Sequence, residues 1–101
     1  MTTGVYRFTF DKGVALSDAE ATLYLAMIAA EGLFSSALVR MDVSFAVDEP
    51  RRSLSVDGST PVGSAVVRMF TSLLLREFGE DAFTVRRVEA PSPGRSVASA
   101  A

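Results

Sequence analysis

The segment that decides the fold is ATLYLAMIAAEGLF, residues 21–34. Its apolar residues recur at the spacing of an α-helix, along two lines rather than one. The first line is Ala21, Leu25, Ile28 and Gly32, and the second, roughly on the opposite side, is Leu23, Met27, Ala30 and Phe34. An ordinary surface helix has one apolar stripe and one polar face. Because one core covers only one side of a helix, the pattern predicts that the other side is available to a partner.

The composition limits the classes of function that are open to this chain. It has 101 residues, the usual size of one domain, and 49% of them are hydrophobic. A net charge of −2 gives no reason to expect binding to nucleic acid or to an anionic membrane. The absence of histidine and cysteine removes the commonest general base and the usual ligands of zinc and iron. These counts favour a non-enzymatic role, and we expect no resident cofactor.

The sequence also carries signals about location. The first ten residues, MTTGVYRFTF, lack the basic and apolar regions of a signal peptide. No apolar run reaches the ~18 residues that cross a bilayer, so we expect a cytoplasmic protein with no membrane span. Nine arginines against one lysine are typical of a GC-rich, bacterial genome.

The rest of the chain predicts four strands, the start of the first helix and a second helix. Alternation of polar and apolar residues predicts four strands, at 5–10, 38–47, 52–56 and 83–88. Ser17, with Glu20 three residues later, predicts a capping box at the start of the first helix. Thr60 as N-cap and Pro61 at the first helical position predict a second helix that ends near Phe78.

The predicted order is β-α-β-β-α-β, which belongs to the α+β class. It is the ferredoxin-like arrangement, a four-stranded antiparallel sheet with both helices on one face. Right-handed crossovers predict the strand order 4-1-3-2. We expect one domain over residues 1–89 and a flexible tail, rich in proline, serine and alanine, over residues 90–101.

The leading hypothesis is a small interaction or assembly module. It would self-associate, or dock on a partner protein, through an apolar helix face. The predicted interface has two parts. The second line of the first helix contributes Leu23, Met27, Ala30 and Phe34, and the polar face of the second helix contributes the apolar residue Leu75. In the competing interpretation, both lines are covered within one chain: the sheet covers one, and the second helix or the tail covers the other.

An enzymatic alternative rests on acids at one end of the predicted sheet. Asp11 ends the first strand, and Asp48 and Glu49 lie in the predicted hairpin turn. Carboxylates without histidine suit a hard cation such as Mg²⁺. The topology resembles that of palm-type nucleotidyl transferases and of small dimeric nucleases, which implies a metal-dependent, nucleotide-binding or nuclease-like enzyme. Acids are also common in turns for conformational reasons, so both interpretations stay open.

A third candidate site precedes the second helix. Gly58, Ser59 and Thr60 lie before its first turn, whose free N–H groups can bind an anion. Helix capping explains the same residues. The open face of the predicted sheet has arginines but no aromatic side chains, which argues against base stacking and RNA binding. A ligand-sensing domain that binds at a dimer interface is also compatible with the topology.

Overall fold

The computed structural model describes residues 4–88. The elements along this part of the chain are β1 (Val5–Phe10), α1 (Leu16–Glu31), α2 (Ser36–Asp42), β2 (Phe45–Asp48), β3 (Ser53–Asp57), α3 (Pro61–Phe78), a short 3₁₀ helix (Glu80–Ala82) and β4 (Phe83–Val88). The tail predicted at residues 90–101 lies outside the described residues.

The four strands form one antiparallel sheet. Counted from the β2 edge its order is β2-β3-β1-β4, and counted from the β4 edge the same sheet reads β4-β1-β3-β2. In the central strand β1, Phe8 lies opposite Leu54 of β3 and Val85 of β4. The predictions of the α+β class and of a four-stranded antiparallel sheet are confirmed.

The core lies between one face of the sheet and the helices. Alternation along β1 turns Phe8 and Phe10 to this face, where both are buried. The ring of Phe8 packs on that of Phe70 in α3, with centroids 4.7 Å apart and planes tilted by 60°. Leu54 and Val56 of β3 are fully buried beside them. The helices α1 and α3 therefore cover the sheet face that the sequence pattern marks as apolar.

Both ends of α3 follow from its sequence, as predicted. The hydroxyl oxygen of Thr60 accepts a hydrogen bond from the N–H of Gly63 at 2.9 Å. The same hydroxyl donates to the carbonyl of Asp42 at 3.0 Å, which ties the start of α3 to the end of α2. Gly79 follows the last turn with φ of 90°, a conformation that favours glycine.

The start of α1 differs from the prediction, and the capping box was wrong. The N-cap residue is Ala15 rather than Ser17, and no side chain caps the helix. The entry into α1 is held by a long-range contact instead. The guanidinium of Arg52 donates hydrogen bonds to the carbonyls of Asp11 and Val14 in the preceding loop. A contact between segments this distant leaves no local sequence signal.

The strand predicted at 38–47 was correct only at 45–47, because the first half of this segment is helical. It contributes most of α2, and β2 starts only near its end. Ser35 caps α2, its hydroxyl oxygen accepting from the N–H of Leu38 at 3.1 Å. Within α2 only Val39 is buried, whereas Met41 is 79% exposed. The alternation of apolar residues that indicated a strand is thus compatible with a short helix that inserts one side chain into the core.

The two helix starts can be compared by mutation. We expect Thr60→Ala to lower the free energy of unfolding by about 1–2 kcal/mol, because it removes the cap of α3. Ser17→Ala is the matched control, since Ser17 does not cap α1, and we expect a change within about 0.5 kcal/mol. Urea denaturation followed by circular dichroism measures both. Equal losses in the two variants would contradict this difference between the helix starts.

Candidate interaction surface

The two apolar lines of α1 do face opposite directions, but the line that faces inward is not the expected one. Leu23 and Ala30 are fully buried, and Met27 and Phe34 are half-buried against the core. The outward orientation predicted for these four residues was therefore wrong. They belong to the core of their own chain and do not form an exposed interface.

The physical reason lies in the small residues on the same side of α1. Ala19, Ala26 and Ala30 are all fully buried, and their short side chains let the helix approach the sheet and α3 closely. Leu23 then fills the remaining space between these elements. The opposite line, with its larger Leu25 and Ile28, does not offer such a close approach.

A hydrogen bond between helices supports this rotation of α1. Thr22 is 3% exposed, and its hydroxyl donates to the carboxylate of Glu77 in α3 at 2.7 Å. This bond turns the side of α1 that carries Thr22 toward α3. Leu25 and Ile28 lie away from the side that carries the buried alanines, and both are exposed to solvent.

We call the solvent side of this helix the outer face of α1. It consists of five exposed residues, Ala21, Tyr24, Leu25, Ile28 and Ala29. Leu25 is 53% exposed and Ile28 is 62% exposed, and both lie on one stripe with Ala21 at i, i+4 and i+7. No charged residue interrupts the stripe. Such a contiguous apolar surface, unlike scattered single residues, is typical of a contact site.

The outer face continues toward α3 through a shallow groove. The groove has a volume of about 330 Å³ and is lined by Ala29, Arg68, Met69, Ser72 and Leu73. Its walls are mostly apolar, with one arginine at the rim. On α3 itself, Leu75 is 45% exposed, so this residue of the predicted interface does lie at the surface. The helix layer thus presents an apolar stripe and an adjoining groove on one side.

The sequence analysis identified the stripe of the outer face but did not assign it to the interface. Periodicity separates the two lines, and it contains no information on which line faces the sheet. The alanines at positions 19, 26 and 30 were the available signal. They mark the side of the helix that can pack most closely, and hence the inner side.

The acids predicted as a metal site are not brought together. Asp48 forms an ion pair with Arg51 of the same turn, at 3.6 Å. Asp11 lies in a shallow depression that also contains Asp81. Within residues 4–88, no group of three acidic side chains is placed so that it could hold one metal ion. The geometry thus provides no support for a cation site at Asp11, Asp48 and Glu49.

The segment predicted as an anion site is occupied by contacts within the chain. The N–H of Gly58 donates to the carbonyl of Gly4, and the N–H of Ser59 donates to the carboxylate of Asp57, both at 2.9 Å. The hydroxyl of Thr60 caps α3. Ser59 and Thr60 also line a cavity of about 490 Å³, together with Arg68. The carboxylate of Asp57 repels anions at the predicted position, which does not favour anion binding there.

Comparison of this chain with models of protein families, with curated proteins and with solved structures finds no match. In the part of the chain from residue 4 to residue 88, no helix has both the length and the apolar composition needed to cross a bilayer. The surface of α1 is therefore interpreted from its own geometry.

The orientation of α1 can be tested by truncating one residue on each side. We expect Leu23→Ala to lower the free energy of unfolding by about 2–5 kcal/mol, because it leaves a cavity in the core. Leu25→Ala removes the same atoms from an exposed position, so we expect less than about 1 kcal/mol. Denaturation in urea at low protein concentration, where association is negligible, measures both. Similar losses in the two variants would contradict the orientation described above.

Proposed function

We propose that this protein is a small non-enzymatic assembly module, and that it associates with a second copy of itself through the outer face of α1. One observation carries the proposal. The helix has a charge-free apolar stripe on its solvent side, although its opposite side already supplies the core. No comparable observation in residues 4–88 favours the enzymatic alternative.

The apolar stripe provides a driving force for association. More than half of the surface of Leu25 and of Ile28 remains in contact with water. Covering it is worth roughly 1 kcal/mol for each residue, before the entropy lost on association is counted. In the absence of a partner, charged residues would be expected on this side of a surface helix. Instead, the charges of α1 lie at Asp18, Glu20 and Glu31, near its two ends.

Several properties of the outer face suit a second copy of the same chain. A symmetric dimer presents the same patch twice, so the patch must be compatible with itself. A stripe without charge meets this condition, because no like charges are brought together at its centre. Ala21 and Ala29, which flank the larger side chains, add no charge to the contact. The net charge of −2 also means that the two copies repel each other only weakly.

We also propose that the fold is a variant of the ferredoxin-like arrangement. Its support is the order of the four strands and of the two long helices, α1 and α3, along the chain. The extra helix α2 occupies the connection between α1 and β2. It leaves the solvent side of α1 and α3 open, where the proposed interface lies.

Self-association can be measured directly. We expect size-exclusion chromatography with light scattering to give a dimer at tens of micromolar. The double variant Leu25→Gln/Ile28→Gln should weaken the dimer at least tenfold, about 1.4 kcal/mol, because it places two polar side chains in the apolar contact. Glutamine preserves helix propensity, so the far-ultraviolet circular dichroism spectrum should not change.

The matched control is Met41→Gln. Met41 is the most exposed of the large apolar residues described, but it belongs to α2 and lies outside the proposed interface. We expect this variant to associate like the original chain. A protein that remains monomeric at several hundred micromolar would contradict self-association. A dimer insensitive to Leu25→Gln/Ile28→Gln would exclude the outer face of α1 as its contact.

A further inference from the structure

We propose that each copy places its α1 on α3 of the other copy, so that four helices form one bundle between two outer sheets. This inference rests on the proposed function, since it assumes that the chain self-associates. It also specifies the surface of the second copy that α1 contacts. The argument depends on the charges of the two helices and on the area they offer.

The two helices carry opposite charges. Three acids and no basic residue lie on α1. Arg68 and Arg76 lie on α3, whose single acid, Glu77, accepts the hydrogen bond from Thr22. The exposed charges are Asp18 and Glu31 on α1, and Arg68, Arg76 and Glu77 on α3, so α3 keeps a net positive charge. The one ion pair within residues 4–88 joins Asp48 and Arg51. None of the charges on α1 and α3 therefore has an ion-pair partner in the described chain.

Contacts within the chain show which charges share an end of the helix layer. Thr22, near the start of α1, meets Glu77, near the end of α3. Ala29, near the end of α1, shares the groove with Arg68. The two helices are therefore antiparallel. It follows that Asp18 and Arg76 lie toward one end of the layer, and Glu31 and Arg68 lie toward the other.

A two-fold axis can bring two such layers face to face in two ways. An axis parallel to the helices preserves the ends and sets α1 on α3 of the other copy. Asp18 then approaches Arg76 of the second copy, and Glu31 approaches Arg68. An axis across the helices sets α1 on α1 and α3 on α3, with acids near acids and arginines near arginines. Charge complementarity favours the first arrangement.

The available area also favours an interface that uses both helices. A helix of 16 residues, the length of α1, is about 24 Å long and about 10 Å wide. Its footprint of roughly 240 Å² is well below the ~800 Å² that each partner buries in a typical stable complex. Adding α3 roughly doubles the footprint to about 500 Å², which is closer to that value, and brings the two grooves together. Leu73 and Met69 would then join Leu25 in the centre of the bundle.

Charge reversal distinguishes the two arrangements. Two double variants reverse the charge of one helix each: Asp18→Lys/Glu31→Lys and Arg68→Glu/Arg76→Glu. We expect each to weaken the dimer at least tenfold, because charges of the same sign then face each other across the contact between α1 and α3. The chain with all four substitutions should regain most of the original affinity, since the attraction is restored with its sign exchanged. Raising the salt concentration should weaken the original dimer. Analytical ultracentrifugation measures the dissociation constant of each protein.

Arg86→Glu/Arg87→Glu is the matched control for net charge. Both arginines are exposed and lie on the edge strand β4 rather than on a helix, and the double variant changes the net charge by the same amount as Arg68→Glu/Arg76→Glu. We expect the control to change the dissociation constant less than threefold. Circular dichroism and thermal unfolding of every variant separate a loss of association from a loss of folding.

The outcomes separate this inference from the proposed function. A monomeric original chain overturns both. A dimer that Leu25→Gln/Ile28→Gln weakens, but that neither charge variant weakens, overturns only the arrangement of α1 on α3. Strengthening of the original dimer by salt would likewise indicate like charges in contact and overturn that arrangement. If the four-substitution chain stays as weak as the double variants, the pairing of acids with arginines is contradicted.

Discussion

The rest of the structure depends on the close packing of one side of α1 against the sheet and α3. Three alanines on this side bring the helix backbone near its neighbours, and Leu23 fills the space that they leave. The same rotation places Thr22 where it can donate to Glu77. Once that side is buried, Leu25 and Ile28 on the opposite side remain more than half exposed in the described chain. The surface proposed as the interface is thus a direct consequence of how the core is packed.

The polar features that first suggest chemistry have structural explanations in the part of the chain that is described. Arg52 holds the loop before α1 by donating to main-chain carbonyls. Asp57 and Thr60 hold the turn and the cap before α3. Each satisfies backbone groups that would otherwise lack partners. The apolar stripe on α1 is different, because nothing within residues 4–88 accounts for it.

The parts of the fold that could be predicted are those specified by neighbouring residues. Thr60, Pro61 and Gly79 each act within a few positions along the chain, so both ends of α3 were correct. Strict alternation likewise identified β1 and β4. The strand prediction was wrong at 38–42, where a short alternating run fits a strand or a helix that buries only Val39, and correct at 45–47, which lie in β2. Tertiary contacts decide such a case, because local preference is nearly balanced.

By itself, the sequence determined that α1 is a helix with two apolar sides, and that one of these sides would exceed what a single core can cover. It also determined the antiparallel sheet, through the pattern of its strands. Only the tertiary structure decided which side of α1 faces outward. Periodicity along a helix is unchanged when the helix rotates about its axis. The rotation is set instead by the shapes of the sheet and of α3, against which the alanines pack more closely than Leu25 and Ile28 can.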